Sequence, residues 1–78
     1  MNGNECVKEL GQRIKEMINE KGITQRELAK KMGYSRNLIC MWCSGIRLPN
    51  VVALKYLANE FNTTSDYLLG ISDDKRRY

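Results

Sequence analysis

Apolar residues in this chain recur at helical rather than strand spacing. Leu10, Ile14, Met17 and Ile18 stand three and four positions apart among polar residues, which predicts an amphipathic helix over about Glu5 to Lys21, ended by Gly22. Thr24 followed three residues later by Glu27 is a capping box, and Leu28, Ala29 and Met32 supply the buried stripe of a two-turn helix ending near Gly33. Ser35 is placed to cap a third helix running to about Ser44, with Ile39, Trp42 and Cys43 on its inner side and Gly45 as its stop. The segment Gly45 to Asn50 holds the only proline, Pro49, and Asn50 is a good N-cap for a fourth helix carrying Leu54, Leu57, Ala58 and Phe61 on one face. After Asn62, either Thr63 or Thr64 can start a short fifth helix with Tyr67, Leu68 and Leu69, closed by Gly70, and a charged, frayed tail is expected over Asp73 to Tyr78. Strand-period stretches, internal repeats and low-complexity tracts are not evident, so the pattern predicts an all-α bundle.

The most informative stretch is Gln25 to Gly45, QRELAKKMGYSRNLICMWCSG. A helix-turn-helix needs a small residue where its two helices cross, a residue tolerant of positive φ in the turn, and a buried aliphatic in its second helix. Ala29, Gly33 and Ile39 occupy those places. Each alone is uninformative; together with the caps at Thr24 and Ser35 and with Leu28, Met32 and Trp42 in register, they point to the motif.

A length of 78 residues predicts a single domain, with a core over about residues 5–71 and a short charged tail over 72–78, and leaves no room for a deep substrate cleft. No apolar run approaches the roughly 18 residues needed to cross a bilayer, and the N-terminus lacks a secretory layout, so a cytoplasmic location is expected. The net charge is +4, and its distribution matters more than its size. No acidic residue lies between Glu27 and Glu60, whereas Lys30, Lys31, Arg36, Arg47 and Lys55 do. That layout suits a surface facing a polyanion, although charge alone fits a merely solvated basic face equally well.

In GITQRELAKKMGYSRNLI, in the Trp42 to Gly45 element continuing through Leu48-Pro49, and in the closing LANEFNTTSDYLLG, the chain resembles the Cro/CI-type, or XRE-type, helix-turn-helix regulators of bacteria and phages. The likeness covers about Leu10 to Ile71. It implies a five-helix, lambda-repressor-like DNA-binding domain in which the second helix of the motif, about residues 35–44, lies in the major groove and the first crosses the backbone. The resemblance also implies that Gln25 touches a phosphate and braces the first recognition residue, with Arg47 as a further contact.

Local argument supplies the remaining roles. Arg36 and Asn37, then Cys40, Met41 and Ser44, share a face opposite Ile39 and Trp42. Arg36 can pair with guanine, Asn37 with adenine, and Met41 can cover a thymine methyl. Base contacts are therefore expected from Arg36, Asn37, Cys40 and Met41, and backbone contacts from Gln25, Ser35, Ser44 and Arg47, the alternative for each being an ordinary solvated side chain.

The chain departs from the family where many members pair a glutamate in the third helix with an arginine in the first: Cys43 and Ile18 stand there instead. This suggests a semi-buried ion pair replaced by an apolar contact, a swap that can be neutral or stabilising. Cys40-x-x-Cys43 invites a metal or redox reading, but with no histidine and only Cys6 as a third thiol a tetrahedral site lacks ligands, and the pair sits in the second half of its helix. An odd number of cysteines likewise argues for reduced thiols. Catalytic residues, metals, cofactors and small-molecule substrates are not expected.

The expected function is transcriptional regulation, with repression favoured over activation, through operator DNA bound as a homodimer. The dimer would use some of Leu48, Val51, Val52, Tyr67 and Ile71. The alternative is the antitoxin of a toxin-antitoxin pair, in which the same fold neutralises a partner protein.

Overall fold

Helix boundaries in this chain are drawn by local hydrogen bonds. In a computed structural model, which describes residues 3–74 with side chains from residue 5, Thr24 Oγ1 accepts from the Glu27 amide at 3.1 Å and Glu27 Oε1 accepts from the Thr24 amide at 3.2 Å. Ser35 Oγ accepts from the Leu38 amide at 3.2 Å, Asn50 Oδ1 from Ala53 at 2.8 Å and Thr64 Oγ1 from Tyr67 at 3.1 Å. Each such cap is worth about 1 kcal/mol. The helices so delimited are α1 (Gly3–Lys21), α2 (Gln25–Met32), α3 (Arg36–Cys43), α4 (Val51–Glu60) and α5 (Ser65–Leu68), with no strand among the described residues. Gly33, at φ 75°, lets the chain leave α2 and enter α3 without the penalty that a Cβ would meet there.

Packing then follows from the apolar faces. α3 packs against both α1 and α2, while α5 packs against α4 and α1. Leu10, Ile14, Leu28, Ile39, Leu57 and Leu68 are fully enclosed, and Ile18 and Cys43 are apolar members of the same core. Tyr34 meets Trp42 edge-on with ring centroids 5.7 Å apart, stiffening the turn between α2 and α3.

Two polar clamps close the bundle. Arg13 donates through Nη1 to the carbonyls of Tyr67 and Ser72, both at 2.9 Å, and through Nη2 to Glu9 at 3.2 Å and Asp73 at 2.8 Å. Its guanidinium also lies 4.4 Å from the centroid of the Tyr67 ring. At the opposite end, Glu60 Oε1 accepts from Lys21 at 2.9 Å and Lys31 at 2.8 Å, tying together the ends of α4, α1 and α2. These lysines hold the Glu60 carboxyl below its ordinary range, Lys31 having the larger effect.

Several sequence expectations change here. α1 begins two residues before Glu5, and α5 is one turn that starts on Thr64, with Thr63 buried instead. Leu69 caps the end of α5 and, like Met32 and Leu54, is half-buried. Tyr67, considered for a dimer surface, is buried under Arg13 and cannot serve there, because clamp and core enclose it. The tail is described only to Asp74; residues 75–78 lie outside the described residues.

At Gly11, α1 passes close against the backbone of α3. A Cβ at this position would stand 2.3 Å from the Trp42 carbonyl oxygen and 2.9 Å from that of Cys43. Gly to Ala inside a helix ordinarily stabilises by roughly 0.5–1 kcal/mol. At Gly11 the clash is with backbone, which cannot rotate away, so overpacking should outweigh propensity. Gly11→Ala is expected to cost a net 1–2 kcal/mol or so, lowering Tm by roughly 5–15 °C. An unfolding midpoint equal to or above that of the unaltered protein would refute the close-packing account.

Candidate nucleic-acid interface

α2 and α3 present a face built from short helix starts and uncompensated cations. At each N-terminus the first two amides, those of Gln25 and Arg26 in α2 and of Arg36 and Asn37 in α3, donate to no partner among the described residues; capping begins one residue later. Such amide pairs, reinforced by the helix dipole, favour an anion. Glu27, the acid closest in sequence to the start of α2, is exposed, and its Oε1 accepts from the Thr24 amide.

Arg36 and Arg26 converge with Thr24 and Gln25 around a shallow concavity of about 410 Å³. Arg36, Asn37, Cys40 and Ser44 are exposed on α3, as is Ser35 at its start. The Ser35 oxygen is occupied by the Leu38 amide, which leaves its hydroxyl hydrogen free to donate outward. Arg47 is exposed in the loop beyond α3, and Gln25 is half-buried at the start of α2.

Met41 departs from expectation, being half-buried rather than fully outward. The reason is the chain that follows it: the Met41 carbonyl accepts from the amides of Ile46 and Arg47, at 3.0 and 3.3 Å, so the loop doubles back over this end of α3. Lys31 also changes role. It belongs to the acid-free stretch in sequence, but Glu60 neutralises it in space, whereas Arg26, Lys30, Arg36, Arg47 and Lys55 form no ion pair within 4 Å among the described residues. Arg26 was not singled out from the sequence; its signal is its place directly after Gln25 on an exposed helix start.

A family model described as helix-turn-helix matches residues 14–68, a span that contains α2, the turn, α3 and α4. The chain belongs to the XRE-type helix-turn-helix family of transcriptional regulators. Over 61 residues, or 78% of its length, it is 38% identical to the HTH-type transcriptional regulator ImmR of Bacillus subtilis (strain 168). Over the same length it is 34% identical to the HTH-type transcriptional activator BcrR of Enterococcus faecalis. It spans 48% of the first relative and 30% of the second. Within this family frame the motif helices are α2 and α3.

The cysteines of α3 have opposite surroundings. Cys40 is exposed, whereas Cys43 is buried and burial pushes its thiol up from 9.0 to about 11, against the smaller opposing pull of Lys15. Among the described residues no three His, Cys, Asp or Glu side chains are grouped to hold a metal, and no helix is long and apolar enough to cross a membrane. A thiol at about 11 rather than 9.0 carries roughly a hundredfold less thiolate near neutral pH. Alkylation of the folded protein followed by peptide mass mapping should therefore modify Cys40 readily and leave Cys43 unmodified until the chain is unfolded. Equal labelling rates would contradict the burial of Cys43.

Proposed function

We propose that this chain is a sequence-specific duplex-DNA-binding transcriptional regulator acting by repression, with α3 in the major groove and α2 crossing the backbone. The observation that carries the reading is the face of α2 and α3, where free amide pairs and unpaired Arg26, Arg36 and Arg47 lie together, and the one carboxylate in the intervening sequence, that of Glu27, is engaged by the Thr24 amide. On this reading Arg36, Asn37, Cys40 and Met41 meet base edges, the last only by its accessible edge. Gln25, Ser35, Ser44 and Arg47 meet phosphates. Repression requires only docking, since a bound module occludes the DNA it covers. The 78 residues act as one domain in the cytoplasm, with the core over about residues 5–71, and need no cofactor.

The partner on DNA is a second copy, because one module of this size buries too little surface for high specificity. Ile46, Leu48, Val51 and Val52 are exposed in consecutive parts of one loop and the first turn of α4, which supports an apolar contact there. The same patch would serve a protein partner in the antitoxin reading, and co-purification of a small protein that blocks DNA binding would favour that alternative.

Selection from random duplexes is expected to return inverted half-sites one helical turn apart, about 10 bp centre to centre. Failure to bind any duplex at low salt would sink the DNA reading, and a single asymmetric half-site would remove the dimer.

Specificity and affinity should separate between the two helix starts. Arg36→Ala is expected to cost about 1–3 kcal/mol on the selected site and to relax discrimination at one base pair per half-site. Gln25→Ala should weaken selected and scrambled duplexes by similar factors, since phosphates carry no sequence directly. If Arg36→Ala also lowered both equally in a binding titration, Arg36 would be a phosphate contact, as its convergence with Arg26 and Gln25 would allow, and base reading would begin at Asn37.

A further inference from the structure

The cations of this protein divide into two sets. Arg13, Lys21 and Lys31 are paired with carboxylates in the clamps, whereas Lys8 and Lys15 of α1 have no ion pair within 4 Å among the described residues. Lys8, Gln12, Lys15 and Asn19 form one exposed stripe at helical spacing along α1. Together with Ser44 at the end of α3 they border a concavity of about 420 Å³. The stripe is held rigidly beside α3. Gly11, one turn from Lys8 and Lys15, is jammed against the Trp42 and Cys43 carbonyls, and a Cβ on Gly45 would stand 2.9 Å from Lys8 Cγ.

An ordinary reason for lysines at this place is neutralisation of the C-terminal end of α3. Three of the carbonyls there are already taken: Cys40 accepts from Ser44, Trp42 from Gly45, and Met41 from Ile46 and Arg47. Glu16 borders the same concavity, but its Oε2 accepts from the Tyr67 hydroxyl at 3.4 Å on the other flank of α1. Glu9 is engaged by Arg13. Among the described residues, then, neither ammonium group is ion-paired beside the exposed face of α3.

We infer that Lys8 and Lys15 form a second phosphate-binding track, so that DNA backbone is gripped at both ends of α3: by the α2 start and Arg26 near its N-terminus, and by α1 near its C-terminus. The spacing suits this ligand. Seven helical residues rise roughly 10 Å, so the two ammonium groups stand far enough apart to meet different phosphates rather than compete for one. Because phosphates lack sequence information, the track adds affinity and register without altering base preference.

The inference rests on the DNA-binding reading, and the test separates the two. Binding of the full chain to its selected duplex and to a scrambled duplex is measured across a salt series for the unaltered protein, for the Lys8→Gln, Lys15→Gln double variant, and for Lys8→Arg, Lys15→Arg. The glutamine variant is expected to lose about 0.9 units of salt slope per lysine and roughly tenfold in affinity per lysine at 0.1 M salt, equally on both duplexes. The arginine variant should restore both quantities, which a merely structural role of the charge-free stems would not require. Unchanged slope and affinity in the glutamine variant, with the unaltered protein still binding, would overturn the track and leave the DNA reading standing. No duplex binding by the unaltered protein would overturn both.

Discussion

The near-contact of α1 with the backbone of α3 at Gly11 is the constraint from which the working surface follows. α3, with eight residues, has little stability of its own, because helix nucleation is costly and so short a segment does not recover it. It persists because one side is pressed against neighbours: Ile39 and Trp42 enter the core, Tyr34 abuts Trp42, and Gly11 lets α1 approach to backbone distance. Pressing α3 from two sides also decides which residues remain outside. Arg36, Asn37, Cys40 and Ser44 are outward because the opposite arc is fully used.

Electrostatics complete what packing begins. The carboxylates that pair with cations do so on the flanks of α1 and at the far end of α4, where Glu9 and Asp73 meet Arg13 and Glu60 meets Lys21 and Lys31. Such exposed pairs are individually worth under about 1 kcal/mol. Their larger consequence is spatial, since, Lys31 apart, the cations of α2 and α3 form no ion pair among the described residues. A field of one sign over one face is what attracts a polyanion, and its reach shrinks with salt over about 10 Å at 0.1 M.

Cys43 and Ile18 show how this chain solves a problem its family often solves with charge. A semi-buried ion pair must recover the desolvation of both partners, and an apolar replacement of similar volume avoids that cost. Both residues are in the core here, and the thiol is driven toward its neutral form by the same burial. No ion pair joins α1 to α3 among the described residues, so their association is left to shape. That places more weight on Gly11.

Much of the architecture was legible in the chain because its signals are local. A cap joins residues three apart, an apolar stripe repeats every three or four, and Gly33 needs only its own φ; Thr24, Ser35 and Asn50 cap as their positions predicted, and Ile39, Trp42 and Cys43 face inward. The outward set on α3 was legible for the same reason, with Met41 the exception because a loop five residues on folds over it. Tertiary structure alone decided the long-range matters. Nothing near Gly11 in sequence reveals the Trp42 carbonyl that forbids a methyl group there. Arg13 meets Ser72 and Asp73 across some sixty residues, Tyr67 is buried by that clamp, and Lys31 is withdrawn from the basic face by Glu60. Periodicity records which side of a helix is apolar; which charges find partners, and how closely two backbones pass, depend on distances set only when the helices have packed.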